Sequence, residues 1–227
     1  MDGCTEIETN RLCKVSAEVT GSNGAGIMLM SGDAPQGALC TTDERSALIE
    51  ESQFALGEGP CVDAHRFSRP VLEPDLVDPA EPRWLAFSGP VVAAGVRAVF
   101  GFPLRIGEVR LGALNLYRDH RGSLTDGQHA DALAMADIAT RAIISLQAHA
   151  PLGQLAAELA DGADFEYVVH QASGMVAAQL NVSVGQAIIR LRAHAFGNDQ
   201  PLRQVAKDVV ERRLRFDDPT DRKDLES

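Results

Sequence analysis

The sequence predicts an α+β domain over residues 1–150, a short helical linker over 151–164, an all-α module of three helices over 165–215, and a disordered charged tail over 216–227. Two observations give this division. The first part contains apolar runs bounded by glycine and proline, as strands are. The module instead spaces its apolar residues three and four positions apart, which is the period of a helix.

The strongest strand signal is a pair of apolar runs, 98–106 and 109–117, on either side of Gly107-Glu108. A two-residue loop that starts with glycine suits a tight hairpin, because glycine adopts a positive φ at little steric cost. A second pair of runs, 25–30 and 38–42, predicts another hairpin with a longer loop. Since hairpin strands pair antiparallel, we expect an antiparallel sheet.

Capping boxes mark two helix starts, in which a Ser or Thr is followed three residues later by Gln. Thr125 and Gln128 predict a helix to about residue 148, and Ser183 and Gln186 predict the middle helix of the C-terminal module.

The helix that follows Thr125 has a broad apolar stripe. Two interpretations are open: the whole stripe covers the sheet, or part of it contacts a second copy of the chain and makes a homodimer. The stripe consists of Met135, Ala139, Ala142 and Leu146, widened by Ile138 and Ile143.

The charge is unevenly distributed along the chain. The net charge of −11 argues against nucleic-acid binding by the chain as a whole. Residues 165–215, however, carry seven basic and four acidic side chains, a balance of +3. A nucleic-acid interface, if there is one, is therefore expected in this segment.

No motif of a hydrolase, zinc protease, P-loop or dinucleotide site occurs, so no catalytic residue, metal or cofactor is predicted. The cysteines at 4, 13, 40 and 61 form no C-x-x-C pair and are expected to be free thiols. Without a signal peptide or an apolar run of about 20 residues, the protein is expected to be cytoplasmic and not membrane-bound.

Three sequence elements follow one another in the C-terminal module. The first is Gln171-Ala172-Ser173-Gly174, the second runs from Ala187 through Leu191-Arg192 to Ala195, and the third runs from Leu202 to Val205-Ala206. In this order and spacing they resemble the ANTAR family over residues 165–212. The resemblance implies a three-helix module that binds paired hairpins in nascent RNA and so prevents a terminator from forming.

The basic side chains of this module are the expected RNA contacts, although solvated surface charge also explains them. They are Arg190, Arg192, Arg203, Lys207, Arg212 and Arg213.

Three other features of the module bear on its function. Ser173 and Ile188 stand where the family usually has a lysine and an aromatic residue, so the resemblance implies one phosphate contact and one stacking surface fewer than in other members. Gly174 is expected to allow a close approach of a neighbouring helix, because a mid-helix glycine is otherwise unfavourable. A second apolar edge on the middle helix suggests a partner; it consists of Ile189, Ala193 and Phe196.

The first domain resembles the GAF family over residues 1–148. The resemblance rests on Gly57 to Ala64, Pro70-Val71-Leu72, Trp84 and the hairpin from Gly95 to Tyr117. It implies a central antiparallel sheet with helices behind it and a ligand pocket in front, without naming the ligand. Core packing is the alternative explanation for each residue of the candidate lining, which is Met28, Phe54, Cys61, Trp84, Phe87 and Phe100.

The sequence therefore predicts a homodimeric sensor that controls transcription antitermination through RNA. One alternative is a ligand-binding protein whose helical tail serves only dimerisation or protein contact. Another is an enzyme on a GAF-like fold, such as a sulfoxide reductase, which would require a reactive cysteine pair close in space.

Overall fold

A computed structural model of the protein describes residues 2–32, 34–149, 164–198 and 200–216. Side chains are described in these ranges except at 2–8, 34, 147–149 and 164–166. The chain divides into two compact units, Met1–Leu159 and Ala160–Ser227. Most of the predicted linker and the tail beyond Phe216 lie outside the described residues.

The first unit alternates helices with short strands. Its elements are α1 (Asp2–Thr20), β1 (Gly24–Ser31), β2 (Ala34–Thr41), α2 (Glu44–Leu56), α3 (Pro60–Phe67), β3 (Val71–Glu73), α4 (Leu85–Ala93), β4 (Ala98–Ile106), β5 (Val109–Arg118) and α5 (Asp126–His149).

The five strands form one antiparallel sheet in the order β2-β1-β5-β4-β3. Both predicted hairpins are present, β1 with β2 and β4 with β5. Gly107 has a φ of +56° in the tight turn, the positive φ for which a glycine was expected there. The antiparallel α+β domain predicted from the sequence is thus confirmed.

Helices cover both faces of the sheet. Helices α1 and α5 pack together on one face, over a cluster of apolar side chains from alternate strand positions. Helix α2 covers β1 and β2 on the other face, and α3 covers β4 and β5. The strand residues of the first cluster include Ile27, Leu29, Phe100, Phe102, Leu114 and Leu116.

The α5 helix begins at the predicted capping box, where Thr125 and Gln128 exchange hydrogen bonds of 3.0 and 3.2 Å. Most of its apolar stripe covers the sheet, since Met135, Ala139 and Ile143 belong to the buried cluster. Ile138, in contrast, is 48% exposed. The sheet therefore uses the centre of the stripe and leaves one edge facing solvent.

The second unit consists of three short helices, α6 (Asp164–Leu180), α7 (Val184–Gly197) and α8 (Leu202–Val210), each in contact with the other two. Ser183 caps α7 reciprocally with Gln186, as predicted. Each helix buries the apolar face that its spacing indicates, except at Val184, which was expected in the core of α7 and is 53% exposed at the first position of that helix. The core residues are Val169, Ala172, Val176, Leu180, Ala187, Ile188, Leu191, Ala195, Leu202, Val205, Ala206 and Val209.

The expected close-packing role of Gly174 is wrong. Gly174 faces solvent, and a Cβ built on it would meet nothing within 4 Å. The neighbouring Ser173 points into the bundle instead, with its hydroxyl donating to the Val169 carbonyl at 2.7 Å. A glycine one position from the core is not sterically required, so a larger side chain would fit there.

Candidate functional site

A cluster of buried polar side chains lies on the sheet face that α2 and α3 cover. Strand alternation points Gly26 of β1 and Asn115 of β5 toward this face, and the two residues are register partners. A Cβ on Gly26 would lie 2.4 Å from Glu50 Oε1, so glycine is required for Glu50 to approach the sheet. The missing side chain makes room for a carboxyl group in the interior.

Glu50 and Asn115 form the centre of this cluster. The Asn115 side-chain amide donates a 2.7 Å hydrogen bond to Glu50 Oε1, and the two residues are 1% and 3% exposed. A carboxyl group in a dry environment needs such donors, because burial without them is strongly unfavourable. Asn115 thereby links α2 to the central strand β5.

Gln53, one turn after Glu50, joins α2 to α3. Its side-chain oxygen accepts a 2.7 Å hydrogen bond from the backbone N–H of Cys61. Gly59, the N-cap of α3, supplies no side-chain cap, so Gln53 satisfies a donor of the first turn in its place. The other amide atom, Nε2, is buried and has no hydrogen-bond partner among the described residues.

The Cys61 thiol points into the same cluster and is fully buried. Burial, followed by the nearby Glu50 carboxyl, raises the pKa of Cys61 well above its ordinary value. A thiol that stays protonated is a poor nucleophile. Cys61 therefore resembles a structural residue more than a redox-sensing one.

The aromatic side of the cluster is held by two acidic residues. The Trp84 indole donates to Asp63 Oδ2 at 2.8 Å, and its ring meets Phe87 edge-on at 6.0 Å. Glu58 Oε1 accepts from the backbone N–H groups of Ala86 and Phe87, at 2.8 and 2.9 Å, and so caps α4. These bonds fix α4 to α3, through Asp63, and to the loop that precedes α3, through Glu58.

Five of the six predicted lining residues share this side of the sheet and are buried there: Met28, Phe54, Cys61, Trp84 and Phe87. The sixth prediction, Phe100, is wrong. Its side chain belongs to the cluster under α1 and α5, on the opposite face of the sheet. Both faces are covered by helices, so apolar composition alone did not distinguish them.

The expectation of free thiols is wrong for two cysteines. Cys13 of α1 and Cys40 of β2 form a disulfide with a Cα–Cα distance of 6.2 Å. They are 27 residues apart, and only the packing of α1 across the edge of the sheet brings them together. Both lie within the buried apolar cluster, on the face opposite Cys61.

The sequence analysis did not identify Glu50, Gln53 or Asn115. A polar residue within the apolar strand 109–117 was a usable signal for Asn115, because a buried strand position rarely holds an amide. The polar residues of α2 gave no such signal, since that helix also carries many exposed ones.

The ANTAR-like motif residues divide between the core and the surface of the second unit. The buried members are Ala172, Ala187, Leu191, Ala195, Val205 and Ala206. Gln171 and Gly174 are exposed on α6, one turn apart. Ile188 is only 4% exposed, so an aromatic residue in its place would enter the core rather than face solvent.

The predicted RNA-contacting cations fall into two groups. Arg190, Arg203 and Arg212 are exposed and form no ion pair with any residue that the structure describes. Lys207 pairs with Glu211 at 4.0 Å, and Arg213 pairs with Asp208 at 2.6 Å and with Glu211. Among the described residues, the first group therefore carries positive charge that no ion pair compensates.

Arg192 differs from the other cations. Its side chain is partly buried beside the core, and burial lowers the pKa of Arg192 to about 10. The group is still protonated at neutral pH, but less of it is accessible to a partner than of Arg190.

Within the described ranges, no three His, Cys, Asp or Glu side chains come together as a metal site. Among the described residues, no single helix is long and apolar enough to cross a membrane. The helix pair Tyr167–Leu180 and Val184–Gly197 reaches that length and composition only when taken together, and it is bent by 104°.

Solved structures of known proteins are similar to about two thirds of this chain. A type II free methionine-R-sulfoxide reductase from Thermoplasma acidophilum aligns with a TM-score of 0.51 at 16% identity, covering 63% of this chain and 95% of its own. A domain of a histidine kinase from Sinorhizobium meliloti 1021 gives 0.49 at 20% identity, covering 63% and 92%. The GAF domain of a phosphoenolpyruvate-protein phosphotransferase from Coxiella burnetii gives 0.48 at 13% identity, covering 63% and 84%.

An antiparallel sheet with two helices on one face, and a polar cluster enclosed by helices on the other, defines an α+β class of fold. The family model of the GAF domain matches residues 8–144, which is more than half of the sequence. The chain belongs to the GAF domain family. No curated protein matches it.

Proposed function

We propose that this protein is a bacterial transcription antitermination regulator. Its GAF domain senses a signal, and its C-terminal unit, α6 to α8, binds paired hairpins in nascent leader RNA. The function rests on the second unit, because GAF domains serve many outputs and the fold alone does not select one.

One observation carries the proposal: the three elements of the ANTAR resemblance contribute to the three helices in the way an RNA-binding module requires. Their alanines and leucines build one core, from Ala172 of α6 to Ala206 of α8. Their arginines remain outside. Arg190 and Arg203 are exposed on α7 and α8 and are not compensated by a described acidic group. Exposed cations on a rigid bundle are what phosphate contacts need.

We further propose that the regulator is a homodimer, because paired hairpins present two equivalent sites to a two-fold molecule. Ile138 and Ala142 lie on the edge of the α5 stripe that the sheet leaves uncovered. Ile138→Glu should therefore weaken the dimer in sedimentation without changing the circular dichroism spectrum. A folded variant that stays dimeric would place the contact elsewhere.

The decisive experiment is a selection with the purified full-length chain from a pool of leader RNAs of the host. The expected result is enrichment of sequences that form two hairpins. A matched DNA pool and a chain with Arg190→Ala and Arg203→Ala are the controls, and both should enrich nothing. Failure of the wild-type chain to enrich any RNA would contradict the proposal.

Two other outcomes correspond to the alternative functions. A ligand-binding protein whose tail serves only dimerisation would dimerise and bind no RNA. A reductase would consume methionine sulfoxide when a thiol reductant is added. The cysteine pair that such chemistry requires is the Cys13–Cys40 disulfide, which is enclosed by apolar side chains.

A further inference from the structure

Helix α7 has an apolar surface that its bundle does not use. The core face of α7 contains Ala187, Ile188, Leu191 and Ala195. The opposite side carries Ile189, Ala193 and Phe196, which we call the outer face of α7. Ile189 is 62% exposed and Phe196 is 74% exposed. Single exposed apolar residues are common, but three on one side of a short helix form a patch that calls for a partner.

Positive charge borders this outer face. On a helix, residues three and four apart are neighbours, so Arg190 lies next to Ala193 and Arg192 lies one turn before Phe196. Arg190 is exposed and has no acidic partner in the described part of the chain. An apolar ring with guanidinium groups at its edges matches a nucleotide, which offers an apolar base and an anionic phosphate.

A second copy of the chain fits the same surface less well. A two-fold contact through the outer face would place Arg190 and Arg192 of one protomer near those of its partner. Like charges brought together on desolvation oppose such a contact. The arginines that discourage self-association favour an anionic partner.

We propose that Phe196, with Ile189 beside it, is the platform on which an unpaired base of the RNA stacks. This inference rests on the proposed RNA-binding function and identifies the part of the RNA that α7 contacts. Ile188, which stands where the family usually has an aromatic residue, is buried in this chain. Phe196, two turns further along the helix, supplies an exposed aromatic surface on the outer face instead.

The test uses the full-length chain and the strongest-binding RNA from the selection, synthesised with 2-aminopurine in place of one loop adenine at a time. Stacking on an aromatic side chain contributes roughly 1–3 kcal/mol per base, so Phe196→Ala should weaken binding on the order of tenfold. The dependence of log affinity on log salt should keep its slope, because no charge is lost. Binding should change the 2-aminopurine fluorescence with wild type and not with Phe196→Ala.

Two further variants separate stacking from general hydrophobic contact. Phe196→Leu keeps apolar area but removes the ring, so it should lose affinity like Phe196→Ala. Phe196→Trp should bind at least as well as wild type. Tyr167→Ala is the matched control, because Tyr167 is a 57% exposed aromatic residue of the same unit, and it should change nothing.

The failures are distinguishable. If the wild-type chain recovers no RNA, the proposed function fails. If it binds RNA and Phe196→Ala binds equally well, only the stacking platform is wrong. If Phe196→Leu binds the RNA as well as wild type, the aromatic ring is not required and the inference is overturned. If Phe196→Ala instead dissociates the dimer in sedimentation, the outer face is a protein contact, which also overturns the inference.

Discussion

Cys13 of α1 is bonded to Cys40 of β2, so the first helix is covalently attached to the edge strand of the sheet that it covers. Helix α1 also packs against α5, the last helix of the first unit. The disulfide therefore fixes the layer of two helices that covers one face of the GAF sheet.

Reduction of this disulfide should lower the stability of the GAF domain. A closed loop of 27 residues restricts the unfolded chain, and the chain-entropy relation gives about 3.5 kcal/mol for a loop of that length. We expect Cys13→Ala with Cys40→Ala to show a loss of this size in urea unfolding. Addition of a reductant should lower wild-type stability similarly and leave the double variant unchanged. Equal stability with and without reductant would contradict a structural disulfide.

Asn115→Ala should destabilise the domain by about 2 kcal/mol, because a buried carboxyl group loses its amide donor. The bond joins residues 65 positions apart and ties α2 to β5. The matched control is Asn23→Ala. The Asn23 side chain instead accepts a hydrogen bond, from the backbone N–H of Asp119, at an exposed position, where the loss should be under about 1 kcal/mol. Similar losses for the two variants would show that the Glu50 contact contributes little.

Tyr117 and Asp43 should make stability depend on pH at both ends of the range. The Tyr117 hydroxyl donates to Asp43 Oδ2. Burial alone would raise the pKa of Asp43, but this bond and those from Ser46 outweigh it and lower the pKa. Burial first, and then Asp43, raise the pKa of Tyr117.

The contribution of Asp43 is present above its unfolded pKa of about 4 and is lost as the pH falls through its lowered folded pKa. The contribution of Tyr117 is complete below about pH 10 and is lost as the pH rises from there. Tyr117→Phe should thus cost about 1 kcal/mol at neutral pH, with a smaller difference at either extreme. Tyr167→Phe, at an exposed position, should match wild type throughout. A difference independent of pH would disprove the coupling.

Gly174→Ala should stabilise the second unit. Alanine is favoured over glycine in mid-helix by about 1 kcal/mol, and the added methyl group enters open space. Thermal melting of the full chain should show a higher midpoint for the C-terminal transition. Ala172→Gly, on the buried face of the same helix, should lower it. A lower midpoint for Gly174→Ala would mean that an interaction outside the described residues requires the glycine.

The salt dependence of RNA binding should identify the cations that contact phosphate. Arg190→Ala and Arg203→Ala should each flatten the slope of log affinity against log salt by about one. Arg213→Ala should change it little, because Asp208 and Glu211 already neutralise that guanidinium. Equal changes for all three would mean that the ion pairs of Arg213 open when RNA binds.

The sequence by itself determined the features that depend on neighbouring residues. The hairpin turn at Gly107 and the capping boxes at Thr125 and Ser183 are present as predicted, because the backbone conformation or hydrogen bonds of each involve residues no more than four positions apart. The core faces of α6 to α8 could also be predicted from the sequence, since helical spacing alone determines which side chains lie on the same face of a helix.

Only the tertiary structure decided the contacts between distant segments. Glu50 contacts Asn115 because the strand order places β1, which α2 covers, beside β5. Cys13 is bonded to Cys40 because α1 packs across the edge of the sheet. For the same reason the sequence did not predict on which side of the sheet Phe100 lies. Strand periodicity separates two faces but does not say which helices cover each face. At Gly174 a local signal was misleading. A glycine is unfavourable in mid-helix, which suggested a close packing contact, but no neighbouring helix approaches Gly174 among the described residues. Such contacts follow from topology, which no local pattern encodes.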